Sequence, residues 1–126
     1  MQVFKTKEFA RFARREGLND MQLCEAAERA EAGLVDADLG GGLIKQRVAR
    51  AGQGRRGGYR TLMAFRSAHR TVFVYGFAKS ERANIGAAEL DFWRKAAGAF
   101  LSMDETRLRA MTETPELMEV DCHVRH

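Results

Sequence analysis

Apolar positions recur at helical spacing in the first quarter of the chain, alternate through the middle, and return to helical spacing after residue 86. Phe9, Phe12 and Ala13 share one face of a helix predicted over Phe4–Arg15, with Thr6 as its N-cap and Gly17 as its stop. Met21, Cys24, Ala27 and Ala30 repeat at a spacing of three and predict a second helix from Asp20 to Ala32, capped by Asn19 and ended by Gly33. The short link Gly17-Leu18-Asn19 makes these two a helical hairpin.

Val35–Leu39 alternates briefly and predicts a short edge strand before Gly40-Gly41-Gly42. Leu43–Ala49 reads as a strand with Leu43, Lys45, Arg47 and Ala49 on one face and Ile44, Gln46 and Val48 on the other. Gly52–Gly58 reads as a basic loop, Tyr59–Arg66 as a strand, Ser67–Arg70 as a turn, and Thr71–Ala78 as a third strand rich in Val, Phe and Tyr. Asn84 is the expected cap of a long helix whose stripe is Leu90, Trp93, Ala97 and Phe100. Asp104–Met111 predicts a weaker helix closed off by Pro115, and Leu117–Val120 a last strand. The expected fold is α+β: an N-terminal helical hairpin, then a small twisted antiparallel sheet, then a C-terminal helix.

At 126 residues the chain fits one domain with a modest core. No run reaches the roughly 20 apolar residues of a membrane helix, and Met1–Lys5 lacks the apolar centre of a signal peptide, so the reading is a cytoplasmic protein with no membrane role. In that compartment Cys24 and Cys122 are expected as free thiols, Cys24 in the core and Cys122 in the tail. With His69, His123 and His126 they form no spaced ligand set, and neither metal nor cofactor is expected.

The charge changes the picture more than the composition does. Lys45, Arg47, Arg50, Arg55, Arg56, Arg60, Arg66, Arg70, Lys79 and Arg82 stand against one acid, Glu81, which puts +9 on a segment of a chain whose total is +4. A basic face on a folded domain meets a polyanion, most often nucleic acid. The segment has no acidic cluster for magnesium and no histidine pair. Cleavage of RNA would then run without metal through Lys, Arg and Tyr, with the 2′-hydroxyl attacking the adjacent phosphate.

Arginine forks suit the charge that gathers on the phosphoryl oxygens. A lysine crowded by like charge becomes a better base, and Lys45 beside Arg47 fits that role. The simpler reading of both is as solvated cations on an amphipathic strand. Arg60 opens a strand just after a loop, where binding residues often sit. It reads equally as a solvated strand end. Gly54-Arg55-Arg56-Gly57-Gly58 is not a P-loop, because no Gly-Lys-Ser/Thr opens a helix. Tyr59 and Tyr75 offer stacking surfaces, although sheet-face aromatics of this kind are usually core; Trp93 on the helix stripe is expected in the core.

Three stretches carry a resemblance. Asp36–Arg50 reads DADLGGGLIKQRVAR, Gly54–Arg60 reads GRRGGYR, and Val72–Asn84 reads VFVYGFAKSERAN. Together they resemble the RelE-like toxins of type II toxin–antitoxin systems, within the RelE/ParE/HigB superfamily, over about Val3 to Leu101. The resemblance implies a RelE-like toxin domain over residues 1–101, with 102–126 as its C-terminal extension, an acidic segment expected to be solvated. It also implies a metal-independent endoribonuclease that cuts mRNA at the ribosome and inhibits translation. Lys45, Arg47 and Arg60 would be catalytic, and Arg50, Arg55, Arg56, Arg66, Lys79 and Arg82 would bind RNA. The implied partners are a cognate antitoxin with a helix-turn-helix DNA-binding part, the ribosome and mRNA. Ala83-Asn84-Ile85-Gly86 departs from the family's pattern, which in its best-studied members has a base-stacking tyrosine there. The superfamily also supplies an alternative, a ParE-like poison of DNA gyrase, and a non-catalytic RNA-binding module is a third.

Overall fold

The computed structural model describes residues 1–50, 54–78 and 85–122, with the backbone alone at 50 and 54–57. The elements run β1 (Gln2–Thr6), α1 (Lys7–Glu16), α2 (Asp20–Glu31), β2 (Ala37–Gly40), β3 (Leu43–Arg50), β4 (Gly54–Arg66), β5 (Arg70–Ala78), α3 (Ala87–Ser102), α4 (Glu105–Thr112) and β6 (Leu117–Glu119). The six strands form one mixed sheet in the order β2-β3-β4-β5-β1-β6.

This corrects the expected fold. The chain begins with a strand, and β1 lies parallel to β5, with Val3 opposite Thr71 and Phe4 opposite Val72. The sheet is therefore not a small antiparallel one, and the first two helices are not a free-standing hairpin. Thr6 does cap α1, accepting from the Phe9 amide at 3.2 Å, but the residues before it are strand rather than helix. Asn19 and Gln22 form a reciprocal capping box at the start of α2.

Two apolar layers sandwich the sheet. On one face α1 and α2 bury Phe9, Phe12, Leu23, Cys24 and Ala27 against Ile44, Val48, Tyr59, Met63 and Phe73. Cys24, Ala27 and Ala30 are buried as expected, but Met21 is 53% exposed, and Leu23 and Ala26 complete the buried face of α2. On the other face α3 and α4 set Ala97, Leu101 and Leu108 against Leu43, Leu62, Ala64, Val72 and Val74. No described helix is long and apolar enough to cross a membrane.

The turn between β2 and β3 decides where α3 lands. Gly40, Gly41 and Gly42 all adopt positive φ, and a Cβ at Gly42 would sit 2.5 Å from Leu101 Cδ1. Gly42→Ala therefore combines left-handed strain with overpacking, and we expect it to lower stability by about 2–4 kcal/mol in a urea titration.

Arg70 was counted with the basic face but belongs to the interior. It is 1% exposed, donates to the carbonyls of Phe100 (2.7 Å) and Met103 (2.8 Å), and pairs with Glu105 at 3.2 Å. It satisfies carbonyls at the end of α3, which the helix itself cannot.

Nor is the C-terminal segment a solvated extension. β6 pairs antiparallel with β1, Leu117 is fully buried, and Val120 is 3% exposed. Cys24 and Cys122 are joined in a disulfide across a sequence separation of 98, contrary to the expectation of free thiols.

Candidate phosphate-binding face

The strand register assembles the site. β3 and β4 run antiparallel with Lys45 opposite Leu62 and Arg47 directly opposite Arg60. All four share the α3 side of the sheet, because Leu43 and Leu62 pack under α3 while Ile44, Val48 and Tyr59 face α1 and α2. The helix covers one end of this face. On the neighbouring strand β5, Phe77 stands opposite Arg60, and Tyr75 stands opposite Leu62 and stacks on Trp93 of α3.

β3 is held from behind. Gln46 is fully buried on the opposite face; its side-chain amide donates to the carbonyls of Ala26 (3.1 Å) and Leu34 (3.2 Å) and accepts from the Asp36 amide at 2.7 Å. Thr61 donates its hydroxyl to the Gln46 carbonyl at 3.0 Å. Asp36 accepts from the Arg47 amide at 2.7 Å, and Arg29 donates to the Arg47 carbonyl and lies 3.6 Å from Asp36. A strand fixed at these points presents Lys45 and Arg47 in defined positions. None of Gln46, Asp36 or Arg29 was singled out from the sequence; a glutamine on the apolar face of a strand was the available signal.

Arg60 is the unusual group. It is 9% exposed, and its Nη1 is buried with no hydrogen-bond partner among the described residues. Burial, and then the charge of Arg47, push its pKa down; Asp36 partly opposes them. Like charges directly opposite on adjacent strands are destabilising, and a buried unsatisfied donor costs about 1–3 kcal/mol. An anion held between the two guanidinium groups would remove both penalties.

The other predicted residues divide. Arg66 is exposed at the far end of β4, donating to the Leu101 carbonyl at 3.4 Å. It lies six positions along the strand from Arg60, about 20 Å away. The side chains of Arg50, Arg55 and Arg56, and the whole of Lys79, Arg82 and Asn84, lie outside the described residues. So do His123 and His126. Gly54–Gly58, expected as loop, is the first part of β4. Tyr59 is not a site residue: it is buried on the α1 side and donates to Glu16 at 3.0 Å. Trp93 is only half-buried, stacked on Tyr75.

The described residues thus place two arginines at paired positions of β3 and β4, on a sheet packed by helices on both faces. Residues 1–120 match the family model of the RelE toxin of the RelE / RelB toxin-antitoxin system. The chain belongs to that family and is a toxin of a toxin–antitoxin system, with an antitoxin as its partner. Among curated proteins, none matches it.

Proposed function

We propose that this toxin is a metal-independent endoribonuclease that cuts mRNA at the ribosome and so inhibits translation. One observation carries the reading: Arg60, buried and lacking a partner for Nη1 among the described residues, stands directly opposite Arg47. In the proposed reaction the 2′-oxygen attacks the adjacent phosphorus as Lys45 takes its proton. Arg60 and Arg47 donate to the non-bridging oxygens as charge builds there. The bond to the 5′-oxygen breaks, that oxygen takes a proton from water, and a 2′,3′-cyclic phosphate and a 5′-hydroxyl result. Arg50, Arg55, Arg56, Lys79 and Arg82 add attraction for the RNA backbone, and Arg66 contributes from the far end of β4. The antitoxin of this reading has a helix-turn-helix DNA-binding part and covers the basic face.

The test is to map RNA 5′ ends after a short pulse of expression. New 5′-hydroxyl ends inside translated codons are expected. Purified toxin, stripped of metal with EDTA and desalted before it is added to programmed ribosomes, should produce the same ends. Growth arrest with DNA damage and no new RNA ends would overturn the reading in favour of a gyrase poison.

A further inference from the structure

Phe77, the β5 residue opposite Arg60, begins a continuous row of aromatic rings. Phe77 and Tyr75 are 5.9 Å apart, Tyr75 and Trp93 are stacked at 5.2 Å, and Trp93 meets Phe92 edge-on at 4.9 Å. The row climbs from the phosphate site to the rim of the molecule. There Phe92 is 60% exposed, and it is the only aromatic among the large apolar side chains exposed in the described residues.

Tyr75, Phe77 and Trp93 also wall a cavity of about 430 Å³ that straddles β5 and is closed on its other side by α1. Its floor is Phe9 and Phe12, and Arg11 and Arg15 line it from α1, with Glu8 the one acid. Arg15 lies over the Phe12 ring at 5.6 Å. The Trp93 Nε1 is buried with no hydrogen-bond partner among the described residues.

Aromatic walls with interleaved cations are the chemistry of a single-stranded nucleic acid, whose bases need flat apolar surfaces and whose phosphates need guanidinium groups. We infer that the cavity between α1 and α3 is a second nucleotide subsite, which seats a base flanking the cleaved phosphate against Trp93 and Tyr75 and its phosphate against Arg11 and Arg15. This inference rests on the RNA reading of the Arg47–Arg60 face. Continuity with that face favours RNA over a protein segment, because the ring row starts at the strand position paired with Arg60.

Trp93 is the single tryptophan of the chain, so its fluorescence reports on this wall alone. The probe is a short 2′-O-methyl oligoribonucleotide, which binds but lacks the attacking hydroxyl. Binding should quench Trp93, and the same oligomer with abasic positions should bind more weakly without quenching. The double variant Arg11→Ala, Arg15→Ala, at exposed positions of α1, should weaken binding about ten-fold or more and lower its salt dependence. Equal affinity for the abasic oligomer, or an unchanged affinity in the Arg11→Ala, Arg15→Ala variant, overturns the subsite. Quenching by the antitoxin but not by RNA overturns it too, making the cavity a protein-docking groove. The assay needs no cleavage. Quenching without cutting would sink the nuclease reading and keep an RNA-binding wall, whereas cutting without quenching would sink the wall alone.

Discussion

Arg60→Ala is expected to lower the rate of RNA cleavage by at least about 10²-fold while leaving the protein folded. The magnitude is that of removing a pre-aimed donor from a charge developing in a transition state. The stability half of the expectation comes from the ground state. Arg60 faces Arg47 across the strands, is 9% exposed, and has an Nη1 that lacks a partner among the described residues. Truncation removes like-charge repulsion and an unsatisfied donor, so the denaturation midpoint should not fall. Arg60→Lys keeps the charge but loses the planar fork, and should recover little activity. Single-turnover cleavage and a urea titration, run side by side, decide the matter. If activity and stability fall together, Arg60 is structural and the proposed chemistry is wrong.

Reduction of the disulfide is expected to lower stability by about 2–5 kcal/mol. The bridge closes a loop with a sequence separation of 98, most of the chain, and so removes much of the freedom of the unfolded state. It also fastens the last described residues to α2, where the Asp121 amide donates to Asp20 at 3.0 Å and Asp20 pairs with Lys5 at 2.9 Å. Thermal denaturation with and without dithiothreitol should show a drop on the order of 10 °C. A Cys24→Ala, Cys122→Ala double variant should melt near the reduced wild type and ignore the reductant. A melting temperature independent of dithiothreitol would mean that the thiols are not joined in solution.

Local patterns predicted much of this molecule, and non-local ones did not. The alternation in Leu43–Val48 correctly set Lys45 and Arg47 on one face, because strand periodicity is a property of neighbours. That Arg47 faces Arg60 depends on register, and the segment that sets it was read as loop although β4 begins at Gly54. Val3-Phe4-Lys5-Thr6 is too short to announce a strand, and the cap signal at Thr6 drew the helix backward over it. Its parallel partner lies some seventy residues away, so no local pattern reveals the pairing. Arg70 looked like any other cation of the basic block; only the arrival of α3 and α4 makes it interior. Cys24 and Cys122 gave no sign of their pairing, since β6 is what brings the tail to α2.

The place of β1 has a consequence for when this toxin comes into being. Phe4 lies opposite Val72 on one side and Glu119 on the other, so a residue of β1 is completed by partners synthesised long after it. Contacts of such long sequence separation form slowly and late. A nascent chain can assemble α1, α2 and the β3–β4 hairpin, but its sheet stays open until β5 and then β6 have left the ribosome. The order of synthesis thus keeps the sheet incomplete until β6 has been made.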